Sequence, residues 1–325
     1  MLNRPITGPR AWRAETIDAP HNWYYPLPDA CLRVADQVVR DFRSQARPTT
    51  ELWISPEVLR TCRAELAAVA TALEHGRGFV IIEGAPLLGR TTEEAQTLYW
   101  VIGQLLGRPF QQNVQGTLLY DVRDTGQDVR YGARFSVTNA ESSFHTDNSF
   151  GSELLDYVGL LCVNTAKAGG LNQVVSGYAV HNILLDEHPD VLQTLYQPFH
   201  VDRRGGVEQG ESPTVEQPIL SGDGRELVFR YLRYWIEAGH EKVGQPLMPA
   251  QTKALNVLDQ LLNRRDLMAE FGLRRGEMFF INNRWILHNR TAFEDHSEPE
   301  RRRHYVRLWL KADASGIPAS LASAG

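Results

Sequence analysis

The sequence predicts an α+β chain built on a β-barrel or jelly roll. Three observations predict it. Helix patterns lead the chain, strand patterns take over from Phe110, and two further helical stretches interrupt those strands. The first fifty residues hold several prolines and no clear period, so residues 1–55 read as an extended arm or a substrate-side cover. Residues 56–76 read as one helix, with Leu59, Cys62, Leu66, Val69 and Leu73 at helical spacing. Phe79 to Ile82 form a short buried strand. Thr91 and Glu94 are spaced as a capping box that opens the next helix. Leu98, Val101, Ile102 and Leu105 supply its apolar face, and Gly107 ends it.

Beyond Phe110 the strand candidates are 117–122, 134–138, 157–164, 173–176, 226–231, 277–283 and 305–310. The interrupting helices are 180–196, with Ile183, Leu184, Val191, Leu192 and Leu195 on one face, and 249–263, with Leu255, Leu258, Leu261 and Leu262. No internal repeat or low-complexity tract is visible. A small, polar tail, 313–325, is expected to fray. The expectation is a single domain, 1–325, with its core over 56–312.

Composition narrows the class. The chain has 325 residues, 42% hydrophobic and 22% charged, an ordinary globular balance. A net charge of -5 gives no reason to expect nucleic acid or an anionic membrane as partner. Three cysteines, Cys31, Cys62 and Cys162, form no metal knuckle or redox pair, which sets a reducing cytoplasm as the expected compartment. The first twelve residues lack an apolar core of leader length, and no run approaches the roughly 18 apolar residues of a membrane span. Oligomeric state stays open, a homodimer included.

His-x-Asp occurs three times, so context must choose. His188-Pro189-Asp190 lies in a helix-forming stretch, where residues two apart diverge and proline marks a break. His200-Val201-Asp202 is followed by Arg203 and Arg204, which favours a surface salt bridge. His145-Thr146-Asp147 differs: it reads as a strand entering a loop, where residues two apart share a face and both side chains can reach one ion. By itself the pair favours a surface His–Asp hydrogen bond. A third donor, His288, follows the apolar strand around Phe279 and Phe280 and the polar turn Asn282-Asn283-Arg284. Polar groups between buried strands cost free energy unless paired, and a functional pocket is one reason to keep them. Two histidines and a carboxylate make the facial ligand set of non-haem iron oxygenases. In the last strand Val306, Leu308 and Leu310 share one face and Arg303, Tyr305, Arg307 and Trp309 the other. The second face suits a barrel interior holding a carboxylate, which guanidinium binds through both oxygens.

These segments, with Ala168-Gly169-Gly170 and Ser176, resemble the taurine dioxygenase and clavaminate synthase-like superfamily of iron(II)- and 2-oxoglutarate-dependent oxygenases, from about Phe79 to Lys311. The resemblance implies a double-stranded β-helix, a distorted jelly roll with helices outside. It implies that His145, Asp147 and His288 bind iron(II), and that Arg303, fifteen residues beyond His288, clamps the distal carboxylate of 2-oxoglutarate. Arg307 matches a second family arginine near the cosubstrate or the prime substrate; Arg301 and Arg302 leave the register open. Where relatives often carry threonine or serine after the Gly-Gly pair, this chain has Asn172, whose amide can donate to the same carboxylate.

The implied reaction spends O2 and 2-oxoglutarate, releases succinate and CO2, and oxidises an unactivated C–H bond by hydroxylation, desaturation, ring formation or C–N cleavage. Asp147 argues against a halogenase, since relatives that bind halide have a small residue there. Asn148 and Phe150 are expected to line the substrate pocket, together with Gln115, Asn113, Ser136 and Arg230; Gln112, Thr138, Trp235 and Arg233 fall in the same polar stretches. Arginines and amides suit a small amino-acid-like or carboxylated substrate. Two rival readings remain: a zinc hydrolase on the same ligands, which leaves Arg303 no task, and a non-catalytic jelly-roll binding protein.

Overall fold

The computed structural model describes residues 1–44, 47–127, 134–204, 207, 210–222 and 226–312. In chain order, β1 (Tyr24–Pro26) and α1 (Asp29–Ser44) precede α2 (Pro56–Glu65), α3 (Ala67–Glu74), β2 (Phe79–Glu83), α4 (Thr92–Leu106), β3 (Arg108–Phe110) and β4 (Leu119–Val122). Next come β5 (Tyr157–Asn164), β6 (Ala168–Gly169), β7 (Asn172–Ser176), α5 (Gly177–Glu187), α6 (Pro189–Leu195), β8 (Pro198–Asp202), β9 (Thr214–Pro218), β10 (Leu220–Ser221) and β11 (Val228–Phe229). The chain finishes with α7 (Arg233–Lys242), α8 (Pro249–Leu262), β12 (Met268–Phe271), β13 (Met278–Asn282), β14 (Ile286–Arg290), β15 (Phe293–Glu294) and β16 (His304–Lys311).

The fold is mixed α+β around a large sheet. Among the described residues that sheet has seven strands, in the order β1-β2-β13-β5-β16-β3, with β4 also paired to β16. A three-stranded sheet, β12-β7-β14, completes the frame of the site. Alternation decides which residues face where. Val306, Leu308 and Leu310 of β16 pack with Leu98, Val101, Ile102 and Leu105 of α4. Tyr305 and Trp309 turn the other way, into an apolar cluster shared with Val174, Val175 and Ile286 of the smaller sheet. Helix and sheet meet closely at Gly103, where a Cβ would stand 2.2 Å from Leu308 Cδ2.

Several elements differ from the sequence reading. The arm contains α1, whose buried Cys31, Ala35 and Val39 recur at helical spacing. Its small apolar stripe sits behind a proline-rich entry, which hid the period. The arm also docks: Trp12 Nε1 donates to Arg77 O at 2.8 Å and Ile6 N to Asn182 Oδ1 at 2.8 Å. The 56–76 helix breaks at Leu66 (φ -97°, ψ 12°), although its apolar stripe runs on across the break. Residues 180–196 break at His188, before Pro189 starts α6. Residues 134–138 are no strand: Phe135–Val137 is a 3-10 turn, closed by Val137 N to Arg134 O at 3.0 Å. The capping box of α4 is present, with Thr91 and Glu94 bonding reciprocally. Gly107 does end α4, but in extended backbone (φ -175°); glycine is needed there because a Cβ would stand 2.5 Å from Lys311 O. The tail 313–325 lies outside the described residues. No helix among the described residues is long and apolar enough to cross a membrane.

Candidate active site

Two backbone hydrogen bonds create the metal corner. His145 N donates to His288 O at 3.0 Å and His288 N to His145 O at 2.9 Å, an isolated antiparallel bridge between a loop and β14. Residues paired this way project side by side, and the two imidazole centroids lie 4.2 Å apart. Extended backbone then brings Asp147 to the same side: His145 Nε2 stands 3.4 Å from Asp147 Oδ1. One ligand atom from each of His145, Asp147 and His288 lies within 4.8 Å of the others, spacing that a single cation can bridge. Thr146, between them, is buried on the opposite side, accepting Tyr231 N at 3.1 Å and donating to Phe229 O.

Neighbouring groups hold these donors in place. His145 Nδ1 lies 2.8 Å from Ser143 O, which leaves Nε2 as the lone-pair nitrogen. Asn283 clamps the Asp147 backbone twice: its Oδ1 accepts Asp147 N at 2.8 Å and its Nδ2 donates to Asp147 O at 3.0 Å. Asp147 Oδ2 accepts Trp309 Nε1 at 2.8 Å and Arg307 Nη1 at 3.0 Å. Burial alone would raise the Asp147 carboxyl, but Arg307, then His145 and His288, hold it well below the ordinary carboxylate range. Burial, reinforced by His145, pushes His288 down to about 3, against the opposing pull of Asp147. The corner therefore holds one ionised carboxylate and an unprotonated imidazole, the states that metal coordination requires.

A second corner has the opposite character. Arg303, immediately before β16, is 3% exposed and lies 3.8 Å from the Tyr305 ring centroid, with Phe293 at 5.1 Å. Its Nη1 has no hydrogen-bond partner, and neither does Nδ2 of Asn172, itself 3% exposed on β7. Both residues line the same cavity as the three metal-site side chains. Gly170 lets the chain close over this corner, since a Cβ there would lie 3.3 Å from Arg303 Nε, and its left-handed φ of 68° favours glycine. Two buried donors without an acceptor are costly, by about 1–3 kcal/mol for a neutral group and more for a charged one. A carboxylate is the kind of acceptor that both lack. The cavity thus fits a divalent metal at one corner and an organic acid at the other.

The cavity opens to solvent on one side. Asn148, Phe150 and Ser136 line it. Three other expected pocket residues stand elsewhere. Asn113 Oδ1 accepts Gln115 N and Thr117 N, both at 3.1 Å, so Asn113 is spent on a turn, and Gln115 is not among the lining residues. Arg230 donates to Gly151 O at 2.6 Å and props the loop behind Phe150. Arg307 points at Asp147 and at Gln112 Oε1, 2.8 Å from its Nε. Sequence reasoning passed over Arg204, Tyr234 and Arg290 as lining residues. Arg290 had a legible signal, because it follows His288 by two on β14 and so shares its face. It donates to Thr138 O at 3.0 Å and to Ala140 O, tying the 134–140 segment to the site.

Residues 47–309 match the sequence profile of the "Taurine catabolism dioxygenase TauD, TfdA family". The chain belongs to that family. It is a non-haem iron oxygenase that depends on 2-oxoglutarate. FR-33289 synthase of Streptomyces rubellomurinus is 27% identical over 329 residues, 99% of this chain and 95% of that protein. The taurine hydroxylase-like protein SAT17 of Stachybotrys chartarum is 25% identical, over 79% of this chain and 67% of its own. Among solved structures, an asparagine oxygenase in complex with Fe(II), 3-hydroxyasparagine and succinate superposes with a TM-score of 0.68 at 17% identity, covering 89% of this chain and 93% of that one. The non-haem iron oxygenase OrfP in complex with Fe and alpha-ketoglutaric acid gives 0.63 at 16% identity, covering 90% and 94%. The hydrolase and binding-protein readings are left without support.

Proposed function

We propose that His145, Asp147 and His288 hold iron(II), that Arg303 and Asn172 bind the distal carboxylate of 2-oxoglutarate, and that the enzyme oxidises an unactivated C–H bond of a small amino-acid-like or carboxylated substrate. The observation that carries this is the pair of buried, partnerless donors, Arg303 Nη1 and Asn172 Nδ2, in the cavity that holds the two imidazoles and the carboxylate. The bound iron supplies the oxidising chemistry, coupling decarboxylation of 2-oxoglutarate to succinate and CO2 with oxidation of the substrate.

The protein's own residues do the rest. Arg307 and Trp309 hold Asp147 ionised and fixed in direction. Arg307 therefore serves the metal corner, while Arg303 serves the cosubstrate. Asn148 and Phe150, next along the chain, present the substrate to the metal, with Ser136 on the facing segment. The apolar wall of Val158, Leu160 and Trp309 keeps water from the reacting C–H bond. Amino-acid ligands in the asparagine oxygenase and OrfP structures support the size class of the substrate. The two facing sheets fit the jelly-roll core, and docking of the arm onto β2 and α5 fits one domain. Three buried free thiols suit a reducing cytoplasm.

Anaerobic protein given iron(II) and 2-oxoglutarate is expected to develop a weak visible charge-transfer band, lost in Asp147→Ala. A folded protein without the band, or its full retention in that variant, overturns the ligand assignment.

A further inference from the structure

The sheet does not hold the backbone of Arg303. β16 pairs with β5 from His304 onward, and its register shifts between His304 and Tyr305, where Asn164 and Cys162 stand opposite. Arg303 lies one residue before that ladder. A bulge at the start of a strand re-aims the side chains beside it, so another contact has to set the direction in which Arg303 leaves the main chain. The loop between β15 and β16, residues 295–303, supplies it. Asp295 Oδ1 accepts Arg303 N at 2.6 Å and closes that loop at its base.

The rest of the loop faces away from the cavity. Pro299–Arg301 is a 3-10 turn, with Arg301 N donating to Glu298 O at 3.0 Å. Asn164 Nδ2 donates to Glu300 O at 2.9 Å and pins the turn to β5. Arg302 is exposed and turns back on its own loop, its Nε 3.3 Å from His296 O and its Nη2 3.4 Å from Ser297 O. The register of the arginine run is thereby settled: Arg301 and Arg302 stay outside and Arg303 enters. Asp295 is not comfortable in this arrangement. Its Oδ2 is buried and has no hydrogen-bond partner, which is unfavourable for a carboxylate. A side chain placed for stability alone would find partners for both oxygens. The contact that Asp295 does make is with the Arg303 amide.

We propose that Asp295 is a positioning residue for 2-oxoglutarate binding: by holding the Arg303 backbone it aims the guanidinium at the place of the distal carboxylate. Asp295 does not line the cavity, so it acts through Arg303. The inference rests on the reading of Arg303 as the carboxylate clamp and adds the residue that sets it. Asn283 does the same for Asp147 at the metal corner, again through the backbone. A guanidinium fork meets both oxygens of a carboxylate only when its plane is correctly turned, and a binding group has to be held within about 0.5 Å of its productive place. The oxygen in place, rather than the charge it carries, does this work, so an amide oxygen at the same point serves as well.

The test titrates 2-oxoglutarate into anaerobic protein loaded with iron(II), following the charge-transfer band, and titrates iron(II) separately without 2-oxoglutarate. Asp295→Ala is expected to weaken 2-oxoglutarate about tenfold while iron(II) affinity stays within about twofold, because the metal corner shares no partner with Asp295. Asp295→Asn keeps an acceptor at the same point and is expected to bind 2-oxoglutarate within about threefold of the unaltered protein. Asp295→Glu keeps the charge but lengthens the arm by one methylene, and is expected to weaken 2-oxoglutarate more than threefold, roughly. In an Arg303→Ala background, Asp295→Ala is expected to cost nothing further, since it acts through the missing guanidinium. Unchanged 2-oxoglutarate affinity in Asp295→Ala, a parallel fall in iron(II) affinity, or a further loss in the double variant overturns the proposal. If Asp295→Ala does not fold, the other two variants decide: the Asn form binding better than the Glu form supports the role, and equal or reversed order overturns it. Arg303→Ala keeps the two readings apart. Normal 2-oxoglutarate binding in that variant removes the clamp itself, whereas a loss there with any of the overturning outcomes sinks only the role of Asp295.

Discussion

The two ends of the cavity contrast in how their polar groups are satisfied. At the metal corner every Asp147 contact has a protein partner in place: Asn283 on its backbone, Trp309 and Arg307 on Oδ2. At the other end Arg303 and Asn172 are as deeply buried, yet each keeps a donor with nothing to bond. The chain itself orients the carboxylate of the first corner, although His288 Nδ1 there also lacks a partner, whereas the second corner is completed only by what binds there. Groups of one kind fix geometry before the ligand arrives, and groups of the other draw their stabilisation from the ligand itself.

Mutations can break this contrast in order of expected effect. Arg303→Ala removes one partner of a buried charged pair, and its loss is expected to weaken 2-oxoglutarate by about 2–5 kcal/mol. Without 2-oxoglutarate the same change should leave thermal stability unchanged or raised, because it removes a buried donor, Nη1, that has no partner. A melting curve with and without the cosubstrate reads both; a large loss of stability in the empty variant would place Arg303 in the structural class. Asn283→Ala tests the opposite corner. Freeing the Asp147 backbone is expected to lower iron(II) affinity about 10–100-fold, as for other groups that orient metal ligands, and to destabilise the empty protein as well. Metal titration that matches the unaltered protein would show that Asp147 needs no such support. An effect of similar size belongs to Asn172→Ala, which deletes one donor to the cosubstrate, worth about 1.5–3 kcal/mol to a charged acceptor. Asn172→Thr is expected to restore most of it, since a hydroxyl can donate to the same oxygen. Equal 2-oxoglutarate affinity in the Ala and Thr variants would remove Asn172 from the binding site.

Local chemistry was legible in the chain where one segment carries its own pattern. Alternation in β16 assigned Val306 and Leu308 to the helices and Arg307 and Trp309 to the interior, because strand periodicity is a property of the strand alone. The capping box of α4 and the break at Pro189 follow from backbone preferences of a few neighbouring residues. Helix α1 was equally local but was masked by its proline-rich entry.

What the sequence determined, then, was which side chains could do chemistry and roughly on which element each one rides. It could not rank residues whose role depends on distant partners. Asn113 carries the right group but spends it on a turn that includes Gln115, and Arg230 spends its own on Gly151. Asp202 looked like the partner of its arginine neighbours, but the fold buries it and gives its carboxylate to Lys242 Nζ and to the backbone of Arg204. Those outcomes belong to tertiary structure. A hydrogen bond acts over about 3 Å, and only folding decides which groups far apart in the chain come that close.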